Sequence, residues 1–177
     1  MRIASSGSRY PKHFSIKKAI TAQHYDVETS DETWTFYVDI TLRGFVLHLG
    51  RNKESPVIAY KSFFTRKIMI RIEDLEDPKL TRWEQIRKSK SSIMPNYRWT
   101  VTDDEGERAT LLWVRTLLPS YRLLDAENRE LAKFTGSLGP RISGTLRLSK
   151  ANRRRFELIL LTTFMALYTF STRVHIY

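Results

Sequence analysis

Among the 177 residues there is no cysteine. That absence excludes disulfides, cysteine-ligated zinc, thiol catalysis, palmitoylation and a prenylated C-terminal box. Glycine is scarce at 7 residues and proline at 6, and no glycine-rich loop of the kind that cradles phosphate occurs. Position 2 is Arg2, which excludes N-myristoylation. No apolar stretch near the N-terminus resembles a secretory signal. Acidic residues are missing from Met1 to Tyr25. Arg2, Arg9, Lys12, Lys17, Lys18 and several serines give that segment the composition of a mitochondrial presequence, but Pro11 and the stretch Ser5 to Ser8 interrupt any long amphipathic helix. Residues 1–32 are therefore expected to form a basic flexible arm, with mitochondrial targeting as the alternative.

Catalytic patterns are missing as well. The histidines, His13, His24, His48 and His175, show no paired metal-ligand spacing, and no nucleophile elbow or metalloprotease helix occurs. Asp103, Asp104, Glu105 and Glu107 crowd a turn, where solvated carboxylates are ordinary. Glu73, Asp74, Glu76 and Asp77 lack the glycine and terminal glutamate of a calcium loop. The expectation is a protein that is not an enzyme, with no metal and no cofactor.

What the chain has in quantity is positive charge: 30 Lys and Arg against 19 Asp and Glu, a net +11. An anionic partner follows as a prior: phospholipid, nucleic acid or an acidic protein. The hydrophobic fraction of 41% is that of a folded domain.

From Thr33 onward the hydrophobic period is two. Phe36, Val38, Ile40 and Leu42 alternate with polar residues; so do Ile68, Ile70 and Ile72, then Tyr97, Trp99 and Val101, then Gly144, Leu146 and Leu148. Asp125 to Asn128 reads as a hairpin turn between Tyr121–Leu124 and Glu130–Phe134. Leu80, Trp83 and Ile86 recur at three-residue steps behind Pro78, which predicts one interior helix near 79–90. The chain then runs through a basic connector into Phe156–Phe170, a segment apolar on every side. It is shorter than the roughly 20 apolar residues of a membrane-spanning helix. Such a segment must be wrapped by something. A long meander of hairpin strands curls or splits, and closing into a barrel removes its edges and demands a filling. The fold class predicted is mainly β: a closed antiparallel barrel over 33–177 enclosing a hydrophobic C-terminal helix at 156–170. Phe156, Leu158, Ile159, Leu161, Phe164, Met165 and Leu167 are its expected core-facing residues.

The succession Tyr121-Arg122-Leu123-Leu124, Glu130-Leu131-Ala132-Lys133-Phe134, Gly144-Thr145-Leu146-Arg147-Leu148 and Phe156–Phe170 resembles the endings of the tubby-like C-terminal domain superfamily. Tubby-like domains of unknown function, LURP-one-related proteins and phospholipid scramblases are the members it is similar to. The resemblance spans about Thr33 to Phe170 and rests on architecture and apolar pattern. It implies a closed barrel around a central helix and a non-enzymatic module that binds anionic phospholipid, including phosphoinositide, at a membrane surface. The chain departs from scramblases in lacking their cysteine cluster, and no phosphoinositide motif of tubby aligns with it. The headgroup candidates are Lys67, Arg71 and Arg98, on strand faces opposite the core, with Lys88 and Lys90 beyond the expected interior helix. The expected location is cytoplasmic and peripheral at a membrane. Three other readings remain. One is a nucleic-acid binder using Arg153-Arg154-Arg155, Tyr97 and Trp99. Another is a tail-anchored protein with a cytosolic β domain, and the last is a protein-interaction scaffold.

Overall fold

A computed structural model of the chain describes residues 12–18, 23–41, 44–62, 68–73, 82–88, 96–102, 108–116, 120–136, 143–150 and 154–173. The period-two segments are strands: β1 (Lys12–Lys17), β2 (His24–Thr29), β3 (Thr35–Thr41), β4 (Gly44–Leu49), β5 (Val57–Ser62), β6 (Ile68–Ile72), β7 (Arg82–Lys88), β8 (Asn96–Thr102), β9 (Arg108–Arg115), β10 (Ser120–Leu124), β11 (Glu130–Gly136) and β12 (Gly144–Leu148). Each pairs antiparallel with its neighbours in sequence, and β12 returns to β1 to close the barrel. Closure leaves no edge with unpaired N–H and C=O groups. One helix, α1 (Arg154–Arg173), follows.

Two expectations are corrected. The interior helix expected near 79–90 is not there over its described part: 82–88 is the strand β7, paired with β6 from Ile68↔Ile86 to Ile72↔Arg82 and with β8 at Arg87↔Arg98. Three apolar residues at three-residue steps carry little periodic information. The ladder satisfies the backbone of three strands at once, which local helix preference cannot match. The arm expected over 1–32 is corrected in its second half. Phe14 and Ile16 of β1, and Tyr25 and Val27 of β2, are buried with no more than 1% exposure. Strand β1 supplies the partner without which β12 and β2 would both be open edges. Residues 1–11 lie outside the described residues.

Inward positions are mostly apolar and alternate with outward ones along each strand, as pleating requires. Tyr121 and Leu123 on β10, Ala132 and Phe134 on β11, and Leu146 and Leu148 on β12 are buried. The Asp125 hairpin is set by its carboxylate, which accepts from the backbone N–H of Glu127 at 3.0 Å and of Arg129 at 2.8 Å.

Helix α1 is buried on all sides over its middle. No residue from Ile159 to Thr169 is more than 4% exposed. Of the expected core residues, Ile159, Leu161, Phe164, Met165 and Leu167 are buried, whereas Phe156 and Leu158 in the first turns are partly so. Side chains from well-separated strands meet it. Trp113 Nε1 on β9 donates to Thr163 Oγ1 at 3.1 Å, and Lys61 Nζ on β5 donates to the Ala166 carbonyl at 2.7 Å. Phe164 stacks among Trp113, Tyr121 and Phe134, and Tyr168 sits between Phe134 and Tyr25. Lys61 is only 4% exposed, and its hydrogen bond to the Ala166 carbonyl ties β5 to the middle of the helix.

Burial, then the neighbouring Tyr25 and Tyr121, push the Tyr168 hydroxyl well above a phenol's ordinary range; burial likewise raises Tyr97. The folded state therefore holds these protons where the unfolded chain, ionising near pH 10, releases them. Stability is full below that pH and falls as pH rises through it, by up to about 1.4 kcal/mol per pH unit for Tyr168. Urea titrations between about pH 9 and 11 should show this decline, and Tyr168→Phe should flatten it. An unchanged slope would place the Tyr168 hydroxyl in water.

Candidate functional site

Of the five headgroup candidates, Arg71 and Arg98 have described side chains. Lys67 and Lys90 lie outside the described residues, as does the side chain of Lys88, whose backbone pairs with Tyr97. Arg71 is engaged: its Nη2 donates to Glu73 Oε1 at 2.9 Å and its guanidinium lies 5.9 Å from the Tyr60 ring. Arg98 is exposed and directly opposite Arg87. The β7 partner of Arg71 is Trp83, four residues from Arg87, so the two arginines stand about 13 Å apart along that strand.

A second basic row was not anticipated. Arg122 on β10 pairs with Lys133 on β11, Lys133 with Arg147 on β12, and Arg147 with His13 on β1. The buried residues flanking each of them face inward, so all four point outward across four neighbouring strands, at about 4.8 Å per strand. A parallel row two positions along carries only hydroxyls: Ser120, Thr135, Thr145 and Ser15. Arg122 Nε donates to Glu130 Oε2 at 2.6 Å. Lys133 and Arg147 form no ion pair among the described residues. Like charges directly opposite on a sheet are destabilising, and among the described residues three such pairs occur: Arg87 with Arg98, Arg122 with Lys133 and Lys133 with Arg147.

The face that adjoins β1 on its other side has the opposite sign. Asp26 and Glu28 of β2 and Asp39 of β3 point outward, and β2 stands six strands from β8 either way round. Burial, together with the carboxylates of Asp39, Asp26 and Glu54, pushes the Tyr37 hydroxyl up. His24 stacks on Tyr37 with ring centres 4.7 Å apart, and His48 meets its edge at 6.0 Å.

At the N-terminal end of α1, the mouth of the barrel holds a cavity of about 130 Å³. Phe14, Trp34, Phe36 and Leu158 give it apolar walls; Lys12, Thr29, Glu157 and Arg154 supply the polar groups. Lys12 Nζ donates to Glu157 Oε2 at 2.7 Å and lies 3.5 Å from Asp31 Oδ2. Burial alone would lower the Lys12 ammonium, but the hydrogen bond and charge of Glu157, joined by Asp31, outweigh it and hold Lys12 above its ordinary value. Hydrogen bonds from Thr29 and Thr33 keep the Asp31 carboxyl well below the usual range. The Arg154 guanidinium lies 3.6 Å from the Trp34 ring centre.

Tyr97 and Trp99, the aromatic residues a nucleic-acid surface would use, are 8% and 2% exposed and belong to the core. Among the described residues no helix is long and apolar enough to cross a membrane. No family model, no curated protein and no solved structure matches the chain.

Proposed function

We propose that the barrel closes around α1 as a tubby-like domain and that its exterior binds anionic phospholipid at a membrane surface, without catalysis. The burial of Ile159–Thr169 on every side, and the side chains that reach the helix from β2, β5, β9, β10 and β11, support the first part. One observation carries the second: the outward row Arg122–Lys133–Arg147–His13, in which Lys133 and Arg147 are like-charged neighbours. A row of cations that costs stability in the free protein is relieved when phosphate lies across it. The hydroxyls of Ser120, Thr135, Thr145 and Ser15 add donors beside it. Phosphoinositide is the headgroup that offers most phosphate to such a row.

Each basic residue near an anionic surface contributes about 1 kcal/mol. Lys133→Glu with Arg147→Glu should therefore weaken binding to phosphatidylserine-containing vesicles by about tenfold or more, and added salt should weaken the wild type likewise. Both positions are outward, so the fold should survive. Sedimentation with vesicles of phosphatidylcholine alone, with phosphatidylserine and with phosphoinositide checks this. Equal binding to neutral vesicles, or a double variant that binds like wild type, would sink the proposal. An effect confined to Arg87→Glu with Arg98→Glu would move the site to β7–β8.

A further inference from the structure

The cavity at the N-terminal mouth is built from parts that the exterior basic rows do not use. Its volume of about 130 Å³ is close to that of an engineered apolar cavity of about 150 Å³ that takes up benzene. Phe14, Trp34, Phe36 and Leu158 form walls suited to a body of that size. A fully apolar guest would leave Arg154 without a counter-charge, so charge selects further. Lys12 is matched by the buried Glu157 at 2.7 Å. Asp31 is 3.5 Å from Lys12, beyond good hydrogen-bond length, with its side chain 45% exposed at the rim.

Arg154 is the unspent group. Its guanidinium carbon lies 3.6 Å from the Trp34 ring centre, and it makes no ion pair or side-chain hydrogen bond among the described residues. The contact with Trp34 holds the guanidinium in place, and its N–H groups meet no side-chain acceptor among the described residues. A guanidinium edge matches a carboxylate with two parallel hydrogen bonds, and an arginine already held in place loses less freedom on binding. The charge balance favours a single negative charge over two, because Glu157 and Asp31 stand close by. An amine would meet Lys12 and Arg154 and be repelled.

We propose that this cavity binds a small monocarboxylic acid bearing one aryl or branched-alkyl group, its carboxylate on Arg154 and its apolar body between Phe14, Trp34, Phe36 and Leu158. The ligand lies at the barrel mouth, and its binding is independent of vesicle binding through Lys133 and Arg147.

Titration calorimetry on the full chain tests it with three probes: phenylacetate, its uncharged isostere phenylacetamide, and acetate. Phenylacetate should bind saturably, and the other two at least about tenfold more weakly, since one has lost the charge and the other the apolar body. Arg154→Gln should reduce phenylacetate affinity by about tenfold, and Arg154→Lys should recover only part of it because an ammonium lacks the fork. Arg154 is exposed, so both variants should keep the wild-type circular dichroism spectrum and melting behaviour. No saturable binding of phenylacetate, equal binding of the amide, or an Arg154→Gln protein that binds like wild type would each overturn the assignment. Loss of vesicle binding in the Lys133/Arg147 variant with phenylacetate binding intact is the expected separation of the two sites.

Discussion

Phe164→Ala should lower the stability of the folded chain by about 3–5 kcal/mol. The Phe164 ring is fully buried and sits 4.4 Å from Phe134, 5.3 Å from Tyr168, 5.5 Å from Trp113 and 5.9 Å from Tyr121, centre to centre. Its removal forfeits the burial of a large apolar surface and leaves a cavity between the helix and three strands. Those strands are held at fixed spacing by their ladders, so the site has little freedom to collapse. Phe156→Ala, in the partly buried first turn, should cost far less. Urea unfolding followed by tryptophan fluorescence measures both. Equal small losses at the two positions would mean that the middle of α1 is not packed as described.

Gly144→Ala is the smallest substitution with a large expected cost, about 3 kcal/mol. A methyl group at Gly144 would overlap the Phe134 ring and approach the Thr135 carbonyl oxygen to 2.8 Å. Neither neighbour can yield easily. Thr135 is backbone held within the β11–β12 ladder, and Phe134 is packed against Phe164 and Tyr168. The ring of Phe134 thus covers the missing side chain of Gly144, as aromatic residues do for glycines in sheets. Phe134→Leu in the same chain should recover part of the loss, a coupling that a double-mutant cycle reads directly. A Gly144→Ala chain as stable as wild type would contradict this packing.

Most strands from Thr33 onward were legible because alternation survives in them: Phe36 and Val38, Tyr97 and Trp99, and Leu146 and Leu148 are all buried as their spacing implies. Strand β7 was not, since Glu84 and Gln85 beside Ile86 blur the period, and only pairing with β6 and β8 fixes it. Strands β1 and β2 were hidden by basic, serine-bearing neighbours, although Phe14, Ile16, Tyr25 and Val27 already carried the two-residue step. The basic row was half visible. Lys133 and Arg147 are the polar partners of inward Phe134 and Leu146, so their outward direction could be read. That they stand side by side depends on the β11–β12 register, which no local pattern states. The cavity depends on longer range still, joining Lys12 and Trp34 to Arg154 and Glu157.

The absence of cysteine makes the central claim, that α1 is the filling of the barrel, open to a direct measurement. Single cysteines introduced at Leu160, Leu161, Thr162 and Thr163 step around the helix by about 100° each, and all four positions are 0% exposed. Labelled under native conditions with a thiol reagent, each should react only as fast as the whole chain unfolds, while a cysteine at exposed Thr110 reacts at once. Rapid labelling at any one of the four in a chain that is still folded would show a side of α1 open to water, and the account of the helix as the barrel's core would fail.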